Sequence, residues 1–204
     1  MFRTVLGTPT RDRRAERREA TRREILDAAW ALAREHGLAA LSLRDVARAV
    51  GLRPPSIYEY FDSKNAIYDA MFAEANRQLL EATGAPVPGS LEQRLKGEMR
   101  RFVEFSTEDV TRAQLLFQRT IPGFEPSPES YAVAVEVVER NKQVLAEVGV
   151  TDPEAFDLVT AVAAGLTSQQ NANEPGGDRW VHLVDDAAEM LLAHFRRTKR
   201  RNRR

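Results

Sequence analysis

Leu41-Ser42-Leu43-Arg44-Asp45-Val46-Ala47-Arg48-Ala49-Val50-Gly51-Leu52, followed by Arg53-Pro54-Pro55-Ser56-Ile57-Tyr58-Glu59-Tyr60-Phe61-Asp62-Ser63-Lys64, is the stretch that decides the fold. Ser42-Leu43-Arg44-Asp45 reads as a capping box that opens a short helix. Leu43, Val46, Ala47 and Val50 fall at helical spacing on its buried face, and Gly51 ends it. A second short helix follows over roughly 54–60, with Pro54 in its first turn, where an intrahelical amide bond is not needed. Two short helices joined by a glycine-led turn have the geometry of a helix-turn-helix, in which the second helix enters the major groove of DNA. Val46, Ala47, Val50, Leu52 and Ile57 pin the pair together, which leaves Arg44, Arg53, Ser56, Tyr58 and Tyr60 to face outward or sideways. Arginine reads guanine with two hydrogen bonds, and hydroxyls hold phosphate oxygens. Spacing alone leaves a plain packing corner as the other reading of such a pair.

Upstream, residues 21–36 carry an apolar stripe (Ile25, Leu26, Ala29, Trp30, Leu32, Ala33) that predicts a helix stopped by Gly37. Downstream, Ser63 caps a fourth helix over 64–82, followed by a break at Gly84-Ala85-Pro86-Val87-Pro88-Gly89. Capping and proline signals then place helices at 90–106, 128–148 and 152–171, and helical periodicity places two more at 108–119 and 178–195. Alternating strand patterns backed by turn signals are nearly absent. The expected fold is all-α with about nine helices.

Composition narrows the chemistry. The 204 residues are 43% hydrophobic, enough to bury a sizeable core. There is no cysteine, so disulfides, thiolate zinc sites and cysteine nucleophiles are excluded. His36, His182 and His194 are the only histidines, too few for a histidine-rich metal or catalytic centre. No P-loop, dinucleotide glycine fingerprint, zincin motif or serine elbow occurs, which argues against an enzyme. No cofactor and no metal are expected. Met1–Gly7 lacks the apolar core of an export signal, and no apolar run reaches the ~20 residues that span a bilayer, so a cytoplasmic protein with no membrane partner is expected.

Net charge is zero, but it is segregated. Residues 1–61 hold 12 Arg or Lys against 8 Asp or Glu, residues 62–195 hold 11 against 22, and residues 196–204 hold 7 basic residues and no acid. Basic ends flanking an acidic body suit a chain whose ends meet a polyanion. The arginine-rich start (Arg11, Arg13, Arg14, Arg17, Arg18, Arg22, Arg23) reads either as an arm over 1–20 that enters a minor groove or as a salt-bridged extension of the first helix. The tail at 196–204 reads as a solubility tail or as non-specific attraction to DNA.

The quoted stretch, with Ile25-Leu26-Asp27-Ala28-Ala29 and Gly37 upstream, resembles the TetR family of bacterial transcriptional repressors over about residues 21–72. Gly165-Leu166, Gln169-Gln170 and Asn173–Trp180 resemble a subgroup of such regulators. The resemblance implies a helix-turn-helix DNA-binding domain at 21–65, then a helical ligand-binding and dimerisation domain at 66–195. It implies a homodimer on a near-palindromic double-stranded DNA operator, released by a small-molecule effector. Carried over by position, Tyr58 and Lys64 look like phosphate anchors, with Thr21 and Ser42 as further backbone contacts. Arg44, Arg53, Ser56 and Tyr60 are the candidates for base reading, with helix packing the other role for Tyr60. The family's usual serine and glycine at the turn are replaced by Arg53-Pro54-Pro55-Ser56, which removes two amide donors and lets Pro54 offer an apolar surface to thymine methyls.

In the acidic body, Met99, Phe102, Phe105, Gln114, Phe117, Gln118 and Tyr131 are candidates to line a cavity for a hydrophobic molecule, with plain core as the other reading. Ala161, Ala164, Gly165 and Ser168 are small residues on nearby turns of one helix, which suits close approach of a second subunit. His182, Asp186 and Glu189 are spaced to share a face of the last helix, as a polar part of the dimer interface, a metal site or an acid–base pair. The alternatives to a regulator are a helical enzyme or a protein-interaction adaptor built on these Asp, Glu and His side chains.

Overall fold

The computed structural model describes residues 13–147 and 150–201, the side chains of 199–201 excepted, and the rest of the basic arm, Gly149 and the end of the tail lie outside the described residues. Among the described residues the chain is all-α, with no strand. Its helices match the expected nine one for one, with the third formed as a 3₁₀ segment. The chain divides into two compact units, at Ile67 and Tyr68 rather than at 65 and 66.

The first unit begins with α1 (Arg13–His36). Residues 13–20, read as either an arm or an extension of the first helix, are therefore helical. They carry no apolar stripe, but arginine, glutamate and alanine are strong helix formers. Ile25, Ala29, Trp30 and Ala33 form the buried face of α1. After Gly37, at φ +85°, a 3₁₀ turn at Leu38–Ala40 leads to α2 (Leu43–Ala49). The Ser42 hydroxyl accepts the Asp45 amide at 3.2 Å, as its capping role requires. Gly51 ends α2 at φ +70°, with its amide bonded to Arg48 O, while the Leu52 amide reaches back to Ala47 O at 2.8 Å. This left-handed termination turns the chain sharply into the 3₁₀ segment Pro54–Glu59. Tandem prolines at its start and its six-residue length keep it from settling as a full α-helix.

α3 (Lys64–Thr83) starts under the Ser63 hydroxyl, which accepts the Ala66 amide, and continues across the division between the units. The second unit adds α4 (Leu91–Glu108), α5 (Val110–Phe117), α6 (Pro128–Glu147), α7 (Pro153–Asn173), a 3₁₀ turn at Val181–Leu183, and α8 (Val184–Arg201). Local chemistry sets the starts. Ser90 and Gln93 form a reciprocal capping box, Asp109 caps α5, and Asp152 with Pro153 opens α7. The main core joins Leu95, Met99 and Val103 of α4 to Val159 and Ala163 of α7 and to Val184, Ala188 and Leu191 of α8. α8 extends through residues 196–201, which were expected as tail.

Candidate nucleic-acid interface and ligand cavity

The 3₁₀ segment Pro54–Glu59 is fixed from beneath. Ile57 has 0% exposure, whereas Arg53, Pro54, Pro55, Tyr58 and Glu59 are exposed, Tyr58 at 56%. Its C-terminal end is fixed from the side by two arginines of α1. Arg18 donates to Glu59 O at 2.6 Å and Arg22 to Tyr60 O at 2.6 Å. The Arg18 guanidinium lies 5.5 Å from the Tyr60 ring centre and that of Arg22 lies 4.1 Å from the Phe61 ring centre. Cations on the terminal carbonyls of a helical segment are favourable. Arg18 and Arg22 were expected only as part of a basic arm or helix extension, and their role here depends on partners 38 and 41 residues away.

Arg44 is exposed on α2, and Ser56 is half-buried with its amide bonded to Arg53 O. Tyr60 is half-buried beneath Arg18, the packing alternative foreseen for it. Lys64, in the first turn of α3, donates to Ala39 O at 3.2 Å. Ser42 has a structural commitment as well, because its hydroxyl donates to Asp45 Oδ2 at 2.5 Å. Thr21 does not precede the first helix as expected. It is half-buried within α1, because that helix begins eight residues earlier, at Arg13.

In the second unit, α3 to α7 enclose a cavity of about 560 Å³. Met99, Phe102, Phe117 and Gln118 line it as expected, and the rings of Phe102 and Phe117 meet at 5.4 Å. Phe105, Gln114 and Tyr131 do not. Phe105 turns into a cluster with Leu79 and Val137, under the Arg112 guanidinium at 3.7 Å. Gln114 follows the lining residue Ala113 by one position, which rotates it by about 100° on the helix. Tyr131 is 57% exposed and precedes the first lining residue of α6, Val137, by well over a turn.

Six polar residues on the wall were not foreseen: Thr83, Glu98, Asn141, Thr160, Thr167 and Asn171. The Glu98 side chain is only 10% exposed, and burial raises its carboxyl above the usual carboxylate range against the pull of Arg101, Arg140 and Arg94. The Asn171 amide donates to Ser106 O at 3.0 Å.

The small residues of α7 divide between two faces. Ala164 and Ser168 line the cavity, whereas Ala161 and Gly165 are exposed away from it. Leu158, one turn before Ala161, is also exposed, as are Leu183 and Met190. His182, Asp186 and Glu189 do not share a helix face as expected, because α8 begins only at Val184 and His182 lies in the preceding 3₁₀ turn. His182 Nδ1 sits 2.7 Å from Asp178 O, Asp186 is exposed, and Glu189 accepts from Lys96 at 2.5 Å. Glu189 and Glu92 together hold the Lys96 ammonium charged. No cluster of metal-ligating side chains forms among the described residues.

Residues 25–71 match the family model described as bacterial regulatory proteins of the tetR family. An HTH-type transcriptional repressor of Mycobacterium tuberculosis is 23% identical over 198 residues, covering 92% of this chain and 74% of that protein. A tetR-family transcriptional regulator from Streptomyces coelicolor superposes with a TM-score of 0.67 at 21% identity, covering 86% of this chain and 80% of that one. The transcriptional regulator FadR from Bacillus subtilis, solved in complex with stearoyl-CoA, superposes with a TM-score of 0.63 at 19% identity, covering 83% of this chain and 96% of that one. Residues 25–71 thus match the N-terminal domain of tetR-family regulators, and over most of its length the chain is similar to HTH-type transcriptional repressors.

Proposed function

We propose that the chain is a ligand-responsive homodimeric repressor that holds a near-palindromic operator through Ser42–Tyr60. The observation that carries this is the exposed run Arg53-Pro54-Pro55 with Tyr58, set on a fully buried Ile57. An exposed segment on a rigid anchor can meet base edges without first paying to order itself. Arg44, Arg53, Ser56 and Tyr60 are the base-reading candidates. Tyr58, Lys64, Thr21 and Ser42 are the candidates to hold the phosphate backbone.

The exposed stripe Leu158, Ala161 and Gly165 on α7, with Leu183 and Met190, supports a dimer face made by a second copy. Asp186 lies at its polar edge. Two subunits in a twofold dimer would set their recognition segments about 34–36 Å apart, one turn of B-DNA. The cavity is the effector site. Its occupant favours a conformer whose segments no longer match the operator, and a coupling of about 1–3 kcal/mol changes DNA affinity about 5–150-fold. The Bacillus subtilis FadR structure holds stearoyl-CoA, whose long acyl chain supports a site for an apolar chain in this architecture.

Fluorescence anisotropy on a labelled operator tests the DNA half of this proposal. Tyr58→Ala and Lys64→Ala should weaken binding with the dimer and fold intact, and wild-type affinity should fall steeply with salt as counterions are released. Unchanged affinity in both variants, or a flat salt profile, would remove the proposed contacts.

A further inference from the structure

Three threonines line the cavity, and two of them are satisfied in the ordinary way. Thr83 donates to Leu79 O at 2.8 Å, and Thr160 donates to Phe156 O at 3.0 Å, each to the carbonyl four residues back. Thr167 differs. It is 6% exposed, and its hydroxyl has no hydrogen-bond partner in the protein. One turn later, the Asn171 side chain spends its amide on Ser106 O, which fixes its orientation and leaves the buried Oδ1 without a partner. Buried polar atoms are rarely left unpaired, because each gives up its bonds to water without replacement. These two fall side by side on the cavity wall.

We infer that the cavity takes an uncharged, elongated apolar molecule whose single polar group, a hydroxyl or a carboxamide, bridges Thr167 and Asn171. This rests on the reading of the cavity as the effector site. Positions i and i+4 on a helix hold their Cβ atoms about 5–6 Å apart, so one small polar group reaches both side chains. Asn171 Oδ1 demands a donor, and the Thr167 hydroxyl either gives or takes a proton. An alcohol or a carboxamide answers both demands. A carboxylate would bring a second acceptor against Asn171 Oδ1.

The charges on the wall point the same way. No Lys, Arg or His is among the lining residues, so an anionic head inside the cavity would meet no cation. Glu98 is the one ionisable side chain on the wall, and Arg101 already pairs with it at 3.8 Å, which weakens the case for a cationic ligand. Glu98 precedes Ser106 by eight residues, about 12 Å along α4, so the apolar body of the ligand runs between the two polar ends past Met99 and Phe102.

The test uses the full chain with Nile red as a neutral reporter of the cavity, displaced by decan-1-ol, decanamide, decanoate or decyltrimethylammonium. Decan-1-ol and decanamide should displace it at least about tenfold more effectively than either ion. Thr167→Val keeps the side-chain shape and removes an unpaired hydroxyl, so the fold survives, and Asn171→Leu removes the acceptor. Each should cut the affinity for decan-1-ol about tenfold and leave Nile red binding intact, while Thr167→Ser should restore it. Failure of Nile red and of all four decyl compounds to bind would defeat the effector-site reading itself. Nile red displaced best by decanoate or by the ammonium compound would leave that reading standing and overturn the ligand class. Equal decan-1-ol affinity in wild type and Thr167→Val would show that solvent meets the pair, and would overturn the inference too.

Discussion

Replacing Arg22 by methionine isolates what holds the segment Pro54–Glu59, the proposed recognition element, in shape. Arg22 donates to Tyr60 O at 2.6 Å and stacks 4.1 Å from the Phe61 ring centre. A hydrogen bond from a charged donor is worth about 1.5–3 kcal/mol, and the half-buried setting of Arg22 puts it near the lower figure. Guanidinium stacking at such a site adds about 0.5–1 kcal/mol. Methionine retains the stem and loses both, so local opening of the segment should become easier by about 2 kcal/mol, or about thirtyfold. The amides of Tyr60 and Phe61 both donate to Ile57 O at 3.0 Å and report that opening. Native-state hydrogen exchange should show their protection falling by about that factor in Arg22→Met. Arg23→Met removes the same charge from an exposed neighbour and should leave it unchanged. Equal loss of protection in the two variants would mean that net charge, not this geometry, orders the segment, and would refute the reasoning.

Other perturbations follow from single features. Gly51 sits at φ +70° with nothing within 4 Å of an added Cβ, so Gly51→Ala should cost about 1–2 kcal/mol of backbone strain alone, seen as a lower urea midpoint, and Gly51→Asn less. Asp69 accepts from the Ser127 amide at 2.7 Å and from the hydroxyls of Ser127 and Ser130 at 2.8 Å each, tying the start of α6 to α3. Asp69→Asn, with one acceptor oxygen in place of two, should lower stability by about 1–3 kcal/mol, and an unchanged midpoint would refute this. Glu98 has a raised carboxyl pKa in the folded chain, so the folded state binds its proton more tightly than the unfolded state does. Its contribution to stability is therefore fully present below the ordinary value of 4.5 and is lost as pH rises through the folded value. Glu98→Gln should accordingly flatten the decline in stability above pH 4.5, and identical pH profiles for the two proteins would contradict the assignment.

What was legible in the sequence was local. Ser42, Ser90 and Asp152 cap helices because a side-chain oxygen needs only an amide two or three residues ahead, and Gly51 ends a helix because of its own φ, whereas the Asp109 cap of α5 went unread. The start of α1 stayed open between an arm and a helix extension because residues 13–20 bury nothing and are helical through propensity and the contacts of Arg18. The short helical segment near 54–60 was legible as an element, but its 3₁₀ form and its two arginine clamps depend on partners brought near by folding. In the cavity, large apolar side chains such as Met99 and Phe102 stood out, whereas Thr167 and Asn171 did not. Their spacing was visible, but whether a hydroxyl is satisfied depends on hydrogen-bonding geometry that no one-dimensional pattern carries.

The central claim is that two copies of the segment starting at Arg53 read one duplex together. Selecting bound duplexes from a random pool with the full chain, and sequencing them, tests it most directly. The account predicts an enriched near-palindrome whose half-sites are centred about 10 base pairs or a multiple apart, lost with Tyr58→Ala and Lys64→Ala. A pool that stays random, or one that enriches a single asymmetric site indifferent to those substitutions, would contradict it.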